Sequence, residues 1–151
     1  MAEVRAMLAR RRDEPGALLP VLHEVQALLG HIPPALLPEI AEALNLSCAE
    51  VHGVVSYYHH FRSQPPGRHV LQVCRAESCQ ACGGEALLAE AVRRLGCAPD
   101  STRADAAVSL ESVYCLGLCA LSPAVLADGR PLGRMSADKL ARLAAGWERG
   151  T

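Results

Sequence analysis

The chain has 151 residues, half of them hydrophobic but only 3% aromatic, and a formal net charge of −1. That length suits one ordinary domain or two small units. The scarcity of aromatics calls for a core of Leu, Val and Ala, and the near-neutral charge offers no field for nucleic acid or an anionic membrane.

Residues 3–12 read as a helix. Its basic end, Arg10 to Arg12, is followed at once by Asp13 and Glu14, as on a solvated helix terminus. The Met1–Gly16 stretch holds no apolar run long enough for a signal peptide or a membrane span. The expectation is a soluble, cytoplasmic protein without membrane insertion, in a reducing compartment where seven cysteines serve metal or redox chemistry.

Leu18, Leu22, Val25 and Leu29 share one helical face, opened by Pro15-Gly16 and stopped by Gly30. Leu37, Ile40, Ala41 and Leu44 form a second stripe after Pro33-Pro34. Ser47 and Glu50 have capping-box spacing, and the helix they open should turn Val51, Val54, Val55 and Tyr58 inward. Together these helices make a bundle over residues 1–63. Ser63 to Gly67, with two prolines, breaks the pattern and marks a boundary.

From residue 64 to 151 the periodicity changes. His69–Cys74 reads as a strand with Val70 and Leu71 available to a core. Leu88, Ala91, Val92 and Leu95 mark a helix ending at Gly96. A second strand lies near Ala106–Val113, with Val108 and Leu110 on one face and Ser109 and Glu111 on the other. Ala124–Ala127 and Arg130–Gly133 flank Asp128-Gly129, a two-residue hairpin signal. Ser136 caps a last helix striped with Leu140, Leu143, Ala144 and Trp147. The order β-α-β-β-β-α gives an α+β chain: a helical bundle, then a small mixed sheet with flanking helices.

Four cysteines dominate the chemistry: Cys74 and Cys79 after one strand, Cys115 and Cys119 after the other. Four thiolates complete either a zinc site or an iron–sulfur cluster. Gly117 lies inside the second pair, where a tight backbone lets both thiolates turn one way. A second grouping, Cys74, Cys79 and Cys82 with one later cysteine, has plant-type ferredoxin spacing but leaves Cys115 or Cys119 unused. A third, Cys79-Gln80-Ala81-Cys82, has the form of a thiol–disulfide motif and leaves three cysteines unexplained. Cys48 and Cys97 read as small buried hydrophobes. His59 and His60, adjacent on a helix, would point about 100° apart and not at one ion. His23, His31, His52 and His69 read as packing or hydrogen-bonding residues.

The segments His69–Gly83 and Tyr114–Pro123 resemble the thioredoxin-like [2Fe-2S] ferredoxin family, which includes the small peripheral subunit of respiratory complex I and its counterpart in NAD-reducing hydrogenases. Gly30–Pro33, Leu44–Ser47 and Ala49–Arg62 are similar to the helical N-terminal part of the same subunits. Cys74–Gln80 and Tyr114–Ala120 resemble in particular the branch of gamma subunits of soluble NAD-dependent, molybdenum-containing formate dehydrogenases. The resemblance implies that Cys74, Cys79, Cys115 and Cys119 ligate a [2Fe-2S] cluster in a thioredoxin-like domain. It also implies a non-catalytic electron-transfer role. The partners would be a flavin- and NAD-binding subunit with its own iron–sulfur cluster and a molybdenum-containing catalytic subunit. Short spacing assigns Cys74 with Cys79 to one iron and Cys115 with Cys119 to the other. Arg75 is the candidate cation nearest the cluster in sequence.

Overall fold

The computed structural model describes residues 1–149; the last two residues of the expected second domain, Gly150 and Thr151, lie outside them. The chain divides into two compact units, Met1–Pro65 and a second beginning at Pro66, so the break falls inside the proline-containing segment.

The first unit holds α1 (Ala2–Arg11), α2 (Leu18–Leu29), α3 (Leu37–Leu44) and α4 (Cys48–Tyr57), with a 3-10 turn at Pro34–Leu36. Gly30 ends α2 and Asn45 ends α3, both in the left-handed conformation that closes a helix C-terminus. The core joins Val4 and Met7 of α1, Val21, Leu22 and Val25 of α2, Ile40 of α3 and Val51 of α4. The buried face of α2 is rotated from the expected stripe: Val21 and Gln26 are buried, while Leu18 and Leu29 are only partly so.

Gln26 turns inward because both ends of its amide find partners. Its Nε2 donates to the His60 carbonyl at 2.8 Å, and its Oε1 accepts from the Arg62 amide at 2.7 Å. A buried amide satisfied at both ends costs little and fixes the His60–Arg62 segment against α2. The capping box forms with both of its bonds, Glu50 amide to Ser47 Oγ and Ser47 amide to the Glu50 carboxylate. Tyr58 departs from expectation. The helix has ended, Tyr58 is extended at φ −88°, and its ring is exposed. His59 and His60 therefore follow the helix and do not lie on it.

The second unit is a five-stranded sheet in the order β2-β3-β1-β4-β5. Its strands are β1 (His69–Cys74), β2 (Ser101–Thr102), β3 (Val108–Val113), β4 (Val125–Ala127) and β5 (Arg130–Leu132). Three helices accompany it: α5 (Glu77–Ala81), α6 (Gly84–Leu95) and α7 (Ala137–Arg149). Strands β1 and β3 are parallel, with Cys74 opposite Val113; the other three pairings are antiparallel. Parallel neighbours need a long crossover, which α5 and α6 supply. Asp128 and Gly129 both take positive φ, 49° and 78°, in the turn between β4 and β5.

Leu71 and Val73 of β1, with Val108 and Leu110 of β3, pack against Leu88 and Ala91 of α6 and Leu140 and Ala144 of α7. Full burial of each such Leu stabilises the fold by about 1.5–3 kcal/mol. Val70, expected in the core, is half-buried because alternation places Leu71 and Val73 on the helix-covered face. Ser109, expected on the polar face, is buried; its Oγ accepts from the Gly67 amide at 2.8 Å and meets Thr102 Oγ1 at 2.6 Å. Neither the two-residue β2 nor the five-residue α5 is apparent from periodicity.

Arg103 joins the C-terminus of α6 to the turn before β3, donating to the Leu95 carbonyl at 2.9 Å and to both Asp105 oxygens at 2.8 Å. That pairing, aided by the Ala107 amide, holds the Asp105 carboxyl at about 2. A depressed folded pKa means the contact contributes above the ordinary value of 3.8 and is lost as pH falls through about 2. An NMR titration should place the Asp105 midpoint near 2 and return it to the ordinary range in Arg103→Ala. Ser47→Ala should cost the first unit about 1 kcal/mol, read from denaturant unfolding followed by far-UV circular dichroism.

Candidate iron–sulfur centre

Strand pairing brings the cysteine loops together. Cys74 is the last residue of the central strand, and its amide donates to the Ala124 carbonyl at 3.1 Å, at the start of β4. The next amide, Arg75, donates to Val113 at 2.8 Å, so both parallel strands end at the same edge of the sheet. The chain leaving β1 turns into α5, which carries Cys79. The chain leaving β3 carries Cys115 and Cys119 before returning as β4.

Cys74 and Cys79 are buried with Ala124, and Ala76, Val113, Leu116 and Leu118 pack around them. Cys115 and Cys119 are exposed. The thiols interact as two pairs, Cys74 with Cys79 and Cys115 with Cys119, and Cys119 also feels the charges of Cys79 and Cys74. Among the described residues, no three His, Cys, Asp or Glu side chains are grouped to hold a single metal ion.

Electrostatics separate the inner thiol from the outer one. Burial pushes the Cys74 thiol up, but hydrogen bonding from the Ala76 amide, the Cys79 thiol and the Cys115 and Leu116 amides outweighs it and leaves Cys74 below the ordinary cysteine value. Cys119 moves the other way. Its hydrogen bond with Cys115 and the repulsion of the Cys115 thiolate raise it, with smaller contributions from burial and from the charges of Cys79 and Cys74.

The second loop is bent for this purpose. Cys115 has φ +82° and Gly117 φ +73°, and the Gly117 amide donates to Cys115 Sγ at 3.4 Å. The expected left-handed glycine is present, and the cysteine before it shares that conformation.

Other sequence candidates lie elsewhere or are otherwise engaged. Arg75 donates to both Glu85 oxygens at 3.0 and 3.2 Å, so its charge is neutralised by α6. Cys82 is exposed and caps the C-terminal end of α5. Cys97 is buried as expected, its thiol 3.2 Å from the Ser101 carbonyl. Cys48 is exposed, contrary to expectation, because the first turn of α4 faces away from the core. His23 rests 5.0 Å from Phe61, His31 meets the Leu29 carbonyl at 3.1 Å, and His69 stacks on Trp147 at 4.7 Å. His52 is exposed.

Cysteine spacing alone does not mark Gly84 as a site residue. A Cβ there would lie 2.7 Å from the Cys79 carbonyl oxygen and 3.2 Å from that of Cys74. The start of α6 therefore sits directly on the first cysteine loop. The only sequence signal is the Gly83-Gly84 pair.

The family model of the thioredoxin-like [2Fe-2S] ferredoxins matches residues 4–148. The chain belongs to this family. The second E-type subunit of NADH-quinone oxidoreductase from Rhizobium meliloti is 35% identical over 138 residues, covering 91% of this chain and 82% of the relative. Its E-type counterpart from Pseudomonas aeruginosa is 34% identical over 131 residues, 87% of this chain and 79% of its own length. The alpha subunit of the NAD-reducing hydrogenase HoxS from Cupriavidus necator is 28% identical over 149 residues, 99% of this chain but 25% of that one. A crystal structure of an air-oxidised NAD+-reducing [NiFe]-hydrogenase superposes with a TM-score of 0.76 at 28% identity over 93% of this chain. The ferredoxin spans only 24% of that hydrogenase chain.

The cofactor is a [2Fe-2S] cluster. The ferredoxin's own residues fit one: four thiols in two pairs, an apolar surround on the inner side, and amides already directed at sulfur. Gly84→Ala should lower the iron and acid-labile sulfide retained per chain after anaerobic reconstitution, with far-UV circular dichroism unchanged. Gly53→Ala, in α4 with open space around the new methyl, should instead raise stability by up to about 1 kcal/mol.

Proposed function

We propose that this ferredoxin is the electron-transfer subunit of an NADH-linked oxidoreductase complex, with Cys74, Cys79, Cys115 and Cys119 as its cluster ligands. Cys74 with Cys79 serves one iron and Cys115 with Cys119 the other. The observation that carries the reading is the convergence of four thiols, as two interacting pairs, at the shared end of β1 and β3. The bound cluster supplies one-electron chemistry, accepting or releasing a single electron without bond rearrangement in a substrate.

The chain's part is to hold and to tune. Buried Cys74 and Cys79, backed by Ala124, Val113, Leu116 and Leu118, exclude water from the inner side. The amides at Ala76, Cys115 and Leu116 offset negative charge on sulfur. The outer side is open: Cys115 and Cys119 are exposed, and Tyr114 and Leu121 beside them are 72% and 39% exposed. A partner carrying the next redox centre can approach there, at the edge where transfer distance is shortest.

The partners in this reading are a flavin- and NAD-binding subunit with its own iron–sulfur cluster and, more specifically, a molybdenum-containing catalytic subunit of an NAD-dependent formate dehydrogenase. The first is supported by the NADH-quinone oxidoreductase and hydrogenase relatives. The second rests on the resemblance of Cys74–Gln80 and Tyr114–Ala120 to that branch. In this reading the unit Met1–Pro65 is the helical domain and the unit beginning at Pro66 is the cluster domain. No helix among the described residues is long and apolar enough to cross a membrane, in keeping with a peripheral subunit.

Thiol–disulfide chemistry at Cys79 and Cys82 is disfavoured by placement. A dithiol pair that exchanges disulfides must be accessible to its substrate, whereas Cys79 is buried within α5 and only Cys82 is exposed. Cys82→Ser should leave the visible absorption and iron content unchanged, while Cys119→Ser should lose or alter both; the reverse pattern refutes the ligand assignment. Iron, sulfide and molybdenum analysis of the complex captured with this chain tests the partners: molybdenum is expected, and nickel in its place points to a hydrogenase.

A further inference from the structure

Two hydroxyls that are not ligands bridge the cysteine loops. Ser78 lies in α5 between Cys74 and Cys79, and Ser122 follows Cys119. Ser122 Oγ is 3.4 Å from Cys79 Sγ, 2.8 Å from Ser78 Oγ and 2.9 Å from the Cys119 carbonyl oxygen. Ser78 Oγ also reaches that carbonyl, at 3.2 Å. We propose that Ser78 and Ser122 form a hydroxyl relay in which Ser122 donates to the Cys79 sulfur once that sulfur binds iron, raising the reduction potential of the centre. The inference rests on the assignment of Cys79 as a ligand.

A proton count gives the direction. Each serine has one hydrogen and can accept as well; a free thiol has one hydrogen, and a metal-bound thiolate has none. With Cys79 as a thiol, its one hydrogen is engaged by Cys74, its sulfur is only a weak acceptor, and Ser122 donates to the Cys119 carbonyl instead. With Cys79 as a bound thiolate, that sulfur offers only lone pairs. Ser122 then rotates its hydrogen onto sulfur, and Ser78 shares its own between Ser122 Oγ, 2.8 Å away, and the Cys119 carbonyl, 3.2 Å away. Every distance involved already lies within bonding range, so the exchange needs only hydroxyl rotation. Hydrogen bonds to charged acceptors are the stronger ones. A dipole aimed at ligand sulfur favours the more negative, reduced state and so raises the potential. Ser122 is thus a positioning residue that acts through Cys79.

The test is a mediated redox titration of the full-length, cluster-loaded chain, followed by EPR of the reduced state. Ser122→Ala should lower the midpoint, with a change of up to tenfold in the reduced-to-oxidised ratio at fixed poise, about 59 mV for one electron. Ser122→Thr keeps the hydroxyl and should restore the parent value. Ser78→Ala leaves Ser122 to serve both the carbonyl and the sulfur, and should lower the midpoint by a smaller amount. If Ser122→Ala fails to retain its cluster, Ser78→Ala decides by the same measurement. An unchanged midpoint in the loaded variants overturns the relay, as does a fall in Ser122→Thr equal to that in Ser122→Ala, which would indicate packing. Cys79→Ser, run in parallel, separates the two levels. An unaltered cluster there overturns the ligand assignment and the relay with it; an altered one, beside an unmoved Ser122→Ala, overturns the relay alone.

Discussion

The parallel pairing of β1 with β3 is the constraint on which the site depends. Two cysteine loops some forty residues apart in sequence meet because their strands run in the same direction and stop at the same edge, Cys74 opposite Val113. Antiparallel pairing would send the loops to opposite ends of the sheet. A register slip of one residue would exchange the buried and outward faces of the whole strand, removing Leu71 and Val73 from the core. Burial of those two side chains therefore also fixes where Cys74 sits. Strand β4 completes the arrangement: it starts beside the end of β1, and the Ala124 carbonyl receives the Cys74 amide.

Around that edge, opposing physical demands are met by different parts of the chain. Thiolates need stabilisation, which backbone amides supply at Cys74 without adding a mobile cation. Arg75, the arginine nearest the cysteines in sequence, is withdrawn from that role by Glu85 on α6. Close approach of α6 to the loop requires a residue without a side chain, and Gly84 meets that need. Tight curvature in the second loop requires left-handed backbone at both Cys115 and Gly117. For a cysteine that conformation is uncommon, and the surrounding hydrogen bonds and packing hold it in place.

The sequence was most readable where a local rule decides the structure. Ser47 with Glu50, Gly30 and Gly96 at helix ends, and Asp128-Gly129 between short strands each report on a few neighbouring residues, and each stands where the pattern placed it. The four thiols could likewise be singled out by spacing. Partners distant in sequence were not legible. Nothing in the sequence pairs Gln26 with the His60–Arg62 backbone or Ser122 with Cys79. Tyr58 failed for a different reason: its spacing fits the stripe of α4, but the helix stops one residue earlier. Two residues of β2 and five of α5 are too few for any period to emerge.

The gradient of burial across the four thiols, from 2% and 3% exposed at Cys74 and Cys79 to exposed at Cys115 and Cys119, gives the proposed centre an inner wall and an outer door. An electron can use that door, and so can dioxygen or a chelator. Damage would then begin on the outer loop while the inner pair keeps its grip, and a covering partner would serve as a shield as well as a recipient.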